Sequence, residues 1–175
     1  MEETPRQYVR RMLRLIAGKD PLAVMRASPG RLARLTRGLT RAELYRRPSP
    51  GKWSIAEIAA HLADSELIIG HRIRIIFAAP GAPIANYDQD FWATRGIYTR
   101  QRVGDSLGEF TLLRRKNLRL LRMMPRRLWR NYGRHELRGP ESIRRIVQLY
   151  AGHDLNHLQQ VAAIRRAWRG AKPPE

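Results

Sequence analysis

Along most of the chain the apolar positions recur every three to four residues, the period of a helix with one buried face, and strand-like alternation is hard to find. A short helical segment spans Gln7 to Ile16. The stretch DPLAVMRASPGRLARLTRGLT reads as two helical pieces, with Asp20 capping before Pro21 and Ser28 capping before Pro29, since proline suits a first helical turn. Leu32, Leu35 and Leu39 give the second piece, near 28–39, its apolar face.

RRPSPGKWS interrupts the pattern, and a strong start signal follows it. Ser54 and Glu57 form a Ser-x-x-Glu capping box, and Trp53 and Ile58 stand where a hydrophobic staple places them. The helix they open extends over 54–79, with Ile55, Ile58, Leu62, Ile69, Ile73 and Ile76 as its core stripe, until PGAP stops it. A long connection, 80–104, carries the acidic and aromatic patch NYDQDFW; loops of this length are usually functional or disordered, and three aromatics argue against disorder. Helices near 106–124 and 141–168 complete the pattern, the first carrying Leu107, Phe110, Leu113, Leu118 and Leu121. The expected fold is all-α: a four-helix bundle with a long connection between its second and third core helices.

The 175 residues suffice for one domain, 1–175, with a core over about 20–168 and loose ends in the first few and last six residues. With no cysteine, disulfides, thiolate metal sites and a cysteine nucleophile are excluded, so a bound metal must take His, Asp, Glu or water. No apolar run spans a bilayer and the first residues lack a signal-peptide pattern, so the expected location is cytoplasmic, without a membrane partner. The net charge of +19 raises nucleic acid as a partner. However, the arginines are spread along the whole chain, which favours a solvated basic surface. Even the run LRRKNLRLLR, Leu113 to Arg122, is explained by an exposed helix face with its leucines turned inward.

The candidate chemistry lies in YAGHDLNHLQQVAAIRR, where His153 and His157 sit on the apolar seam of the last helix. Four residues apart, they share a face one turn apart and are able to bind one ion. Burying two unpartnered imidazoles costs on the order of several kcal/mol, which a metal would remove. His61, two turns into the helix opened by Ser54, lies beside the Ile58 and Leu62 stripe and completes a three-nitrogen set from two helices, with positions left open for water or substrate. His71, on a polar flank, and His135, in a loop, are left out. Asp154 and Glu57 are candidates for orienting the imidazoles, although a helix cap is the plainer role for Glu57. Tyr87, Asp88, Asp90 and Trp92 are candidates for a pocket wall, or simply pin the long connection to the bundle.

GKWSIAEIAAHLADSE, NYDQDFW and GPESIRRIVQLYAGHDLNHLQQVAAIR together resemble the DinB-like superfamily of metal-binding four-helix bundles, over roughly Asp20 to Arg166. The shared features are Trp-Ser opening a helix, a histidine within two turns, and His-x-x-x-His followed by Gln in the last helix. The resemblance implies a divalent metal, zinc or nickel, on His61, His153 and His157. It also implies a small-molecule substrate such as a low-molecular-weight thiol, thiol S-transferase-like or hydrolase-like chemistry, and a homodimer. Extra aromatics such as Trp129 and Trp168 also suggest apolar surface beyond the needs of one bundle. The competing reading is a basic nucleic-acid or stress-related binding protein in which the metal is structural.

Overall fold

The structure, a computed structural model, describes residues 3–170; the last five residues of the expected loose end, and the first two of the chain, lie outside them. Helices α1 (Pro5–Ile16), α2 (Pro21–Thr36), α3 (Arg41–Tyr45), α4 (Ile55–Ala78), α5 (Gln89–Thr94), α6 (Val103–Met123) and α7 (Ile143–Gly170) carry the fold. A short 3-10 turn spans Arg126–Arg130. Helices α2, α4, α6 and α7 form the four-helix bundle, and α1 packs along α7. None of the described helices is long and apolar enough to cross a membrane.

The start of α4 follows from local chemistry. The Ser54 side chain accepts from the Glu57 N–H while the Glu57 carboxylate accepts from the Ser54 N–H, satisfying two donors that a helix end leaves open. Trp53 packs in the same apolar cluster as Ile58. The isoleucine stripe then enters the core: Ile69, Ile73 and Ile76 are fully buried against Val147, Leu118 and Leu121.

Two expectations are corrected. Residues 21–36 form one helix, not two pieces, because Ser28 donates its hydroxyl to the Val24 carbonyl instead of capping a new helix at Pro29. Pro29 has no N–H for the Met25 carbonyl four residues back, and the Arg114 side chain supplies the missing donor at 2.5 Å. The helix therefore continues through the proline. The second correction is a small sheet of order β1-β2-β3, from β1 (Pro83–Ile84), β2 (Tyr132–His135) and β3 (Gly139–Ser142). β1 pairs parallel to β2, with Ile84 opposite His135, and β2 pairs antiparallel to β3, with His135 opposite Gly139. It buries Gly133 and His135 on one face and braces the end of α4.

A buried polar network also crosses the bundle. Arg114, on α6, donates to both Asp154 oxygens (2.6 and 3.1 Å) and to Glu66 Oε1 (2.8 Å), and lies over the Phe110 ring. Asn117 donates to the Glu66 carboxylate and backbone carbonyl. Each is nearly inaccessible, so the basic run around Leu113 is not a uniform solvated face: Arg114 and Asn117 point into the core.

Candidate metal centre

The three histidines expected to converge do so. His61 Nε2 lies 2.9 Å and His157 Nε2 3.1 Å from His153 Nε2, and the three ligand atoms all fall within 4.8 Å of one another. Two come from successive turns of α7 and the third from α4, which α7 crosses. His61 is fully buried, while His153 and His157 each keep 6% of their surface.

The partners on the far ring nitrogens fix which way the lone pairs point. The His157 Nδ1–H donates to Gln160 Oε1 at 2.9 Å, which leaves its Nε2 as a lone pair directed into the cluster. His61 Nδ1 faces the Tyr98 hydroxyl at 3.4 Å. His153 Nδ1 is buried with no hydrogen-bond partner among the described residues. Aromatic faces hold the rings in place: Trp53 stacks on His157 at 6.2 Å and meets His61 edge-on at 4.9 Å, and Tyr98 meets His61 edge-on at 5.7 Å.

All three imidazoles are held neutral. Burial pushes His153 down to about 3, helped by the Arg114 and Arg11 cations, and burial and then His153 push His157 down to about 3. His61 lies well below the ordinary histidine range through burial, His157 and His153. Neutral imidazoles are what a metal requires. Without a cation the arrangement is frustrated. One proton on His153 Nε2 serves only one of its two neighbours, and placing that proton on Nδ1 instead leaves a buried donor unmade. Three lone pairs directed at one ion remove the conflict, so the donor set fits a single divalent cation.

The other candidate residues divide. Tyr87, Asp88 and Asp90 line a cleft of about 520 Å³ that has His153 at its wall together with Tyr8, Arg72 and Tyr150. Trp92 lies outside that lining and packs on Tyr87, at 5.1 Å, and on Ala60, Ala93 and Tyr98. A second cleft of about 520 Å³ reaches both His153 and His157 past Trp53, Asn156 and Gln160.

Neither Asp154 nor Glu57 hydrogen-bonds an imidazole, and Glu57 takes the plainer role of a helix cap. Asp154 lies one position beyond His153, turned about 100° around α7, and its carboxylate is engaged by Arg114. Glu57 is occupied by its cap and by Arg47. Although burial pushes its carboxyl up, hydrogen bonds from Arg47 and Ser54 outweigh this and hold it below the usual range.

Sequence reasoning missed Gln160, Tyr98, Ser65 and Arg72. Ser65 lies one turn beyond His61 on α4; its hydroxyl is 3.5 Å from His61 Nε2 and 3.4 Å from the Tyr87 hydroxyl. Gln160 had a signal available, since it follows His157 by three residues on the same helix. Tyr98 reaches the site from the same long connection as Tyr87 but lies outside the NYDQDFW patch, and no spacing rule would have found it.

Comparison with known proteins agrees with this architecture. The family model of the DinB superfamily matches residues 25–161. A curated relative from Oceanobacillus iheyensis carries the name "Putative metal-dependent hydrolase OB0782"; it is 27% identical over 121 residues, covering 67% of this chain and 69% of the relative. Among solved structures, YfiT from Bacillus subtilis is described as "a probable metal-dependent hydrolase with an unusual four-helix bundle topology". It superposes with a TM-score of 0.80 over 85% of this chain and 86% of its own, at 19% identity, a likeness of fold. The bundle and the extent of the family match together make this chain a member of the DinB superfamily.

Proposed function

We propose that the protein is a divalent-metal-dependent enzyme in which His61, His153 and His157 hold the ion. The observation that carries this reading is the convergence of three neutral imidazoles, each presenting Nε2, in a site reached by two clefts. When bound, zinc or nickel, which nitrogen donors favour over calcium or magnesium, would supply Lewis acidity and lower the pKa of a water or thiol brought beside it.

The chain's own residues do the rest. Gln160 and Tyr98 fix the ring orientations of His157 and His61. The hydroxyls of Ser65 and Tyr87 stand on the α4 side of the cluster, where they can hold a hydrogen bond to a substrate oxygen; burial keeps Tyr87 as the neutral phenol. Trp53, Tyr87, Tyr98 and Tyr150 supply an apolar, aromatic surround that limits water.

Water is the favoured nucleophile, supported by the hydrolase descriptions of OB0782 and YfiT. A low-molecular-weight thiol, giving S-transfer, is the second reading, supported by the family resemblance alone. Protein prepared without a histidine tag, loaded with zinc or nickel, and screened in parallel for ester or amide hydrolysis and for thiol transfer tests both. Activity that depends on added metal and is lost in His153→Ala supports the enzyme reading, and the assay that responds selects the nucleophile. Silence in both with a fully loaded site counts against an enzyme.

A further inference from the structure

Eleven residues beyond His61 on α4 lies Arg72, on the same helical face, since eleven steps of 100° return to within about 20° of the starting direction. It is only 4% exposed and lines the cleft that holds His153. No carboxylate among the described residues pairs with it. Its Nη1 donates to the Tyr150 hydroxyl at 3.2 Å, its Nη2 donates to the Ala85 carbonyl at 2.6 Å, and its guanidinium lies over the Tyr87 ring.

His135 makes this cation more unusual. Its Nδ1 accepts from the Leu137 N–H at 3.2 Å, so the neutral ring carries its proton on Nε2. That Nε2–H then faces Arg72 Nη2 at 3.4 Å, donor against donor, with His135 itself 2% exposed. The other tautomer moves the conflict to Leu137. Burial, followed by the charges of Arg138 and Arg72, pushes the ring down to about 4, so protonation does not resolve it.

Two buried donors side by side and short of an acceptor are what an oxyanion satisfies. We propose that Arg72 and Tyr150 at this corner of the cleft, with His135 in contact with the guanidinium, bind an anionic group of the substrate, a carboxylate or a phosphate.

The other charges of the cleft do not occupy this role. Arg138 is bidentate on Glu141, Glu3 is held by Arg11, and Asp88 accepts the N–H groups of Asp90 and Phe91 while standing with Asp90 at the exposed rim. The Cα atoms of His61 and Arg72 are roughly 16 Å apart along α4, at about 1.5 Å per residue, before their side chains reach inward. The anionic group therefore belongs to a tail several bonds from the reacting one. Its role as a substrate anchor rests on the metal-enzyme reading, whereas the binding of an oxyanion does not.

The test titrates metal-free protein with inorganic phosphate and, separately, acetate, holding ionic strength constant with chloride. The readout is the side-chain 15N resonances of Arg72 and His135. We expect one probe to saturate in the millimolar range and move both resonances, and the probe that saturates distinguishes phosphate from carboxylate. Arg72→Met should weaken that binding at least tenfold, while Arg119→Gln, on the exposed face of α6, should not. The wild-type resonances decide the matter even if Arg72→Met fails to fold. His61→Ala should bind the anion as wild type does, so failure of the metal reading would leave this result standing. Resonances of Arg72 and His135 that stay fixed, or shifts that rise linearly without saturating, would overturn the proposal.

Discussion

Arg114 donates to the main-chain carbonyl of Met25 at 2.5 Å, the carbonyl that Pro29 leaves without its helical donor. The same guanidinium joins Glu66 and Asp154, so one side chain of α6 ties α2, α4 and α7 together inside the bundle. Glu66 depends on it: burial pushes its carboxyl up, and Arg114 opposes that shift.

Removing Arg114 should be costly out of proportion to its size. Arg114→Met leaves Asp154 and the Met25 carbonyl without their donor and Glu66 with Asn117 alone, and breaking a buried ion pair from one side costs about 3–5 kcal/mol. Chemical denaturation should show a loss in that range, against less than about 0.5 kcal/mol for the exposed neighbour Arg115→Met. Equal effects would remove Arg114 from the centre of this description.

Two glycines should respond with opposite signs to the same substitution. A Cβ at Gly152 would lie 2.2 Å from the Met12 carbonyl oxygen, where α1 crosses α7 beside His153. Gly152→Ala should cost about 1–3 kcal/mol and raise amide exchange along α1, as overpacking against backbone does. Gly108, inside α6, has open space around its Cβ position, and Gly108→Ala should stabilise by about 0.5–1 kcal/mol. Thermal or chemical denaturation of the pair checks both signs.

Acid should destabilise the metal-free protein through its histidines. The folded state holds His153 and His157 at about 3, below the unfolded value of about 6.5. Between these limits the unfolded chain binds more protons, so this contribution is complete above about pH 6.5 and is lost as the pH falls toward 3. The urea midpoint should therefore fall from pH 7.5 to pH 5, and fall less in a variant with all three histidines replaced by Ala. A midpoint slope identical in the two proteins would contradict the burial of neutral rings.

Gln160 should act on metal affinity through His157. Gln160→Ala removes the acceptor that orients the imidazole, and losing such a partner typically weakens metal binding 10- to 100-fold. Because Gln160 is exposed and water can replace it, we expect a loss near the low end, about tenfold, in competition with a chelator. Unchanged affinity would mean that packing against Trp53 alone positions the ring.

Much of this architecture is written in local patterns. The Ser54 and Glu57 box starts α4 where the chain says it should, and the i, i+4 spacing puts His153 and His157 on one seam whatever the rest of the fold does. The break expected at Pro29 failed because a side chain 85 positions away restores what proline removes. Arg114 and Asn117 sit in a run that reads as a charged helix face, and only tertiary pairing with Glu66 and Asp154 makes their burial tolerable. The strands at 132–135 and 139–142 escape notice because GPES has little strand propensity and is held by its partner strand. Arg72 and His135 are likewise brought together only by the sheet and α4 packing.

The metal content of tag-free protein tests the central claim most directly. Elemental analysis of wild-type protein and of His61→Ala, His153→Ala and His157→Ala, with folding checked by circular dichroism, reads the site without reference to any substrate. We predict about one zinc or nickel per chain in the wild type, release only as the pH falls toward 3, where the buried imidazoles protonate, and loss of at least nine-tenths of the metal in each helical, folded variant. A wild-type protein that takes up no stoichiometric divalent ion, or variants that keep it, would contradict the account.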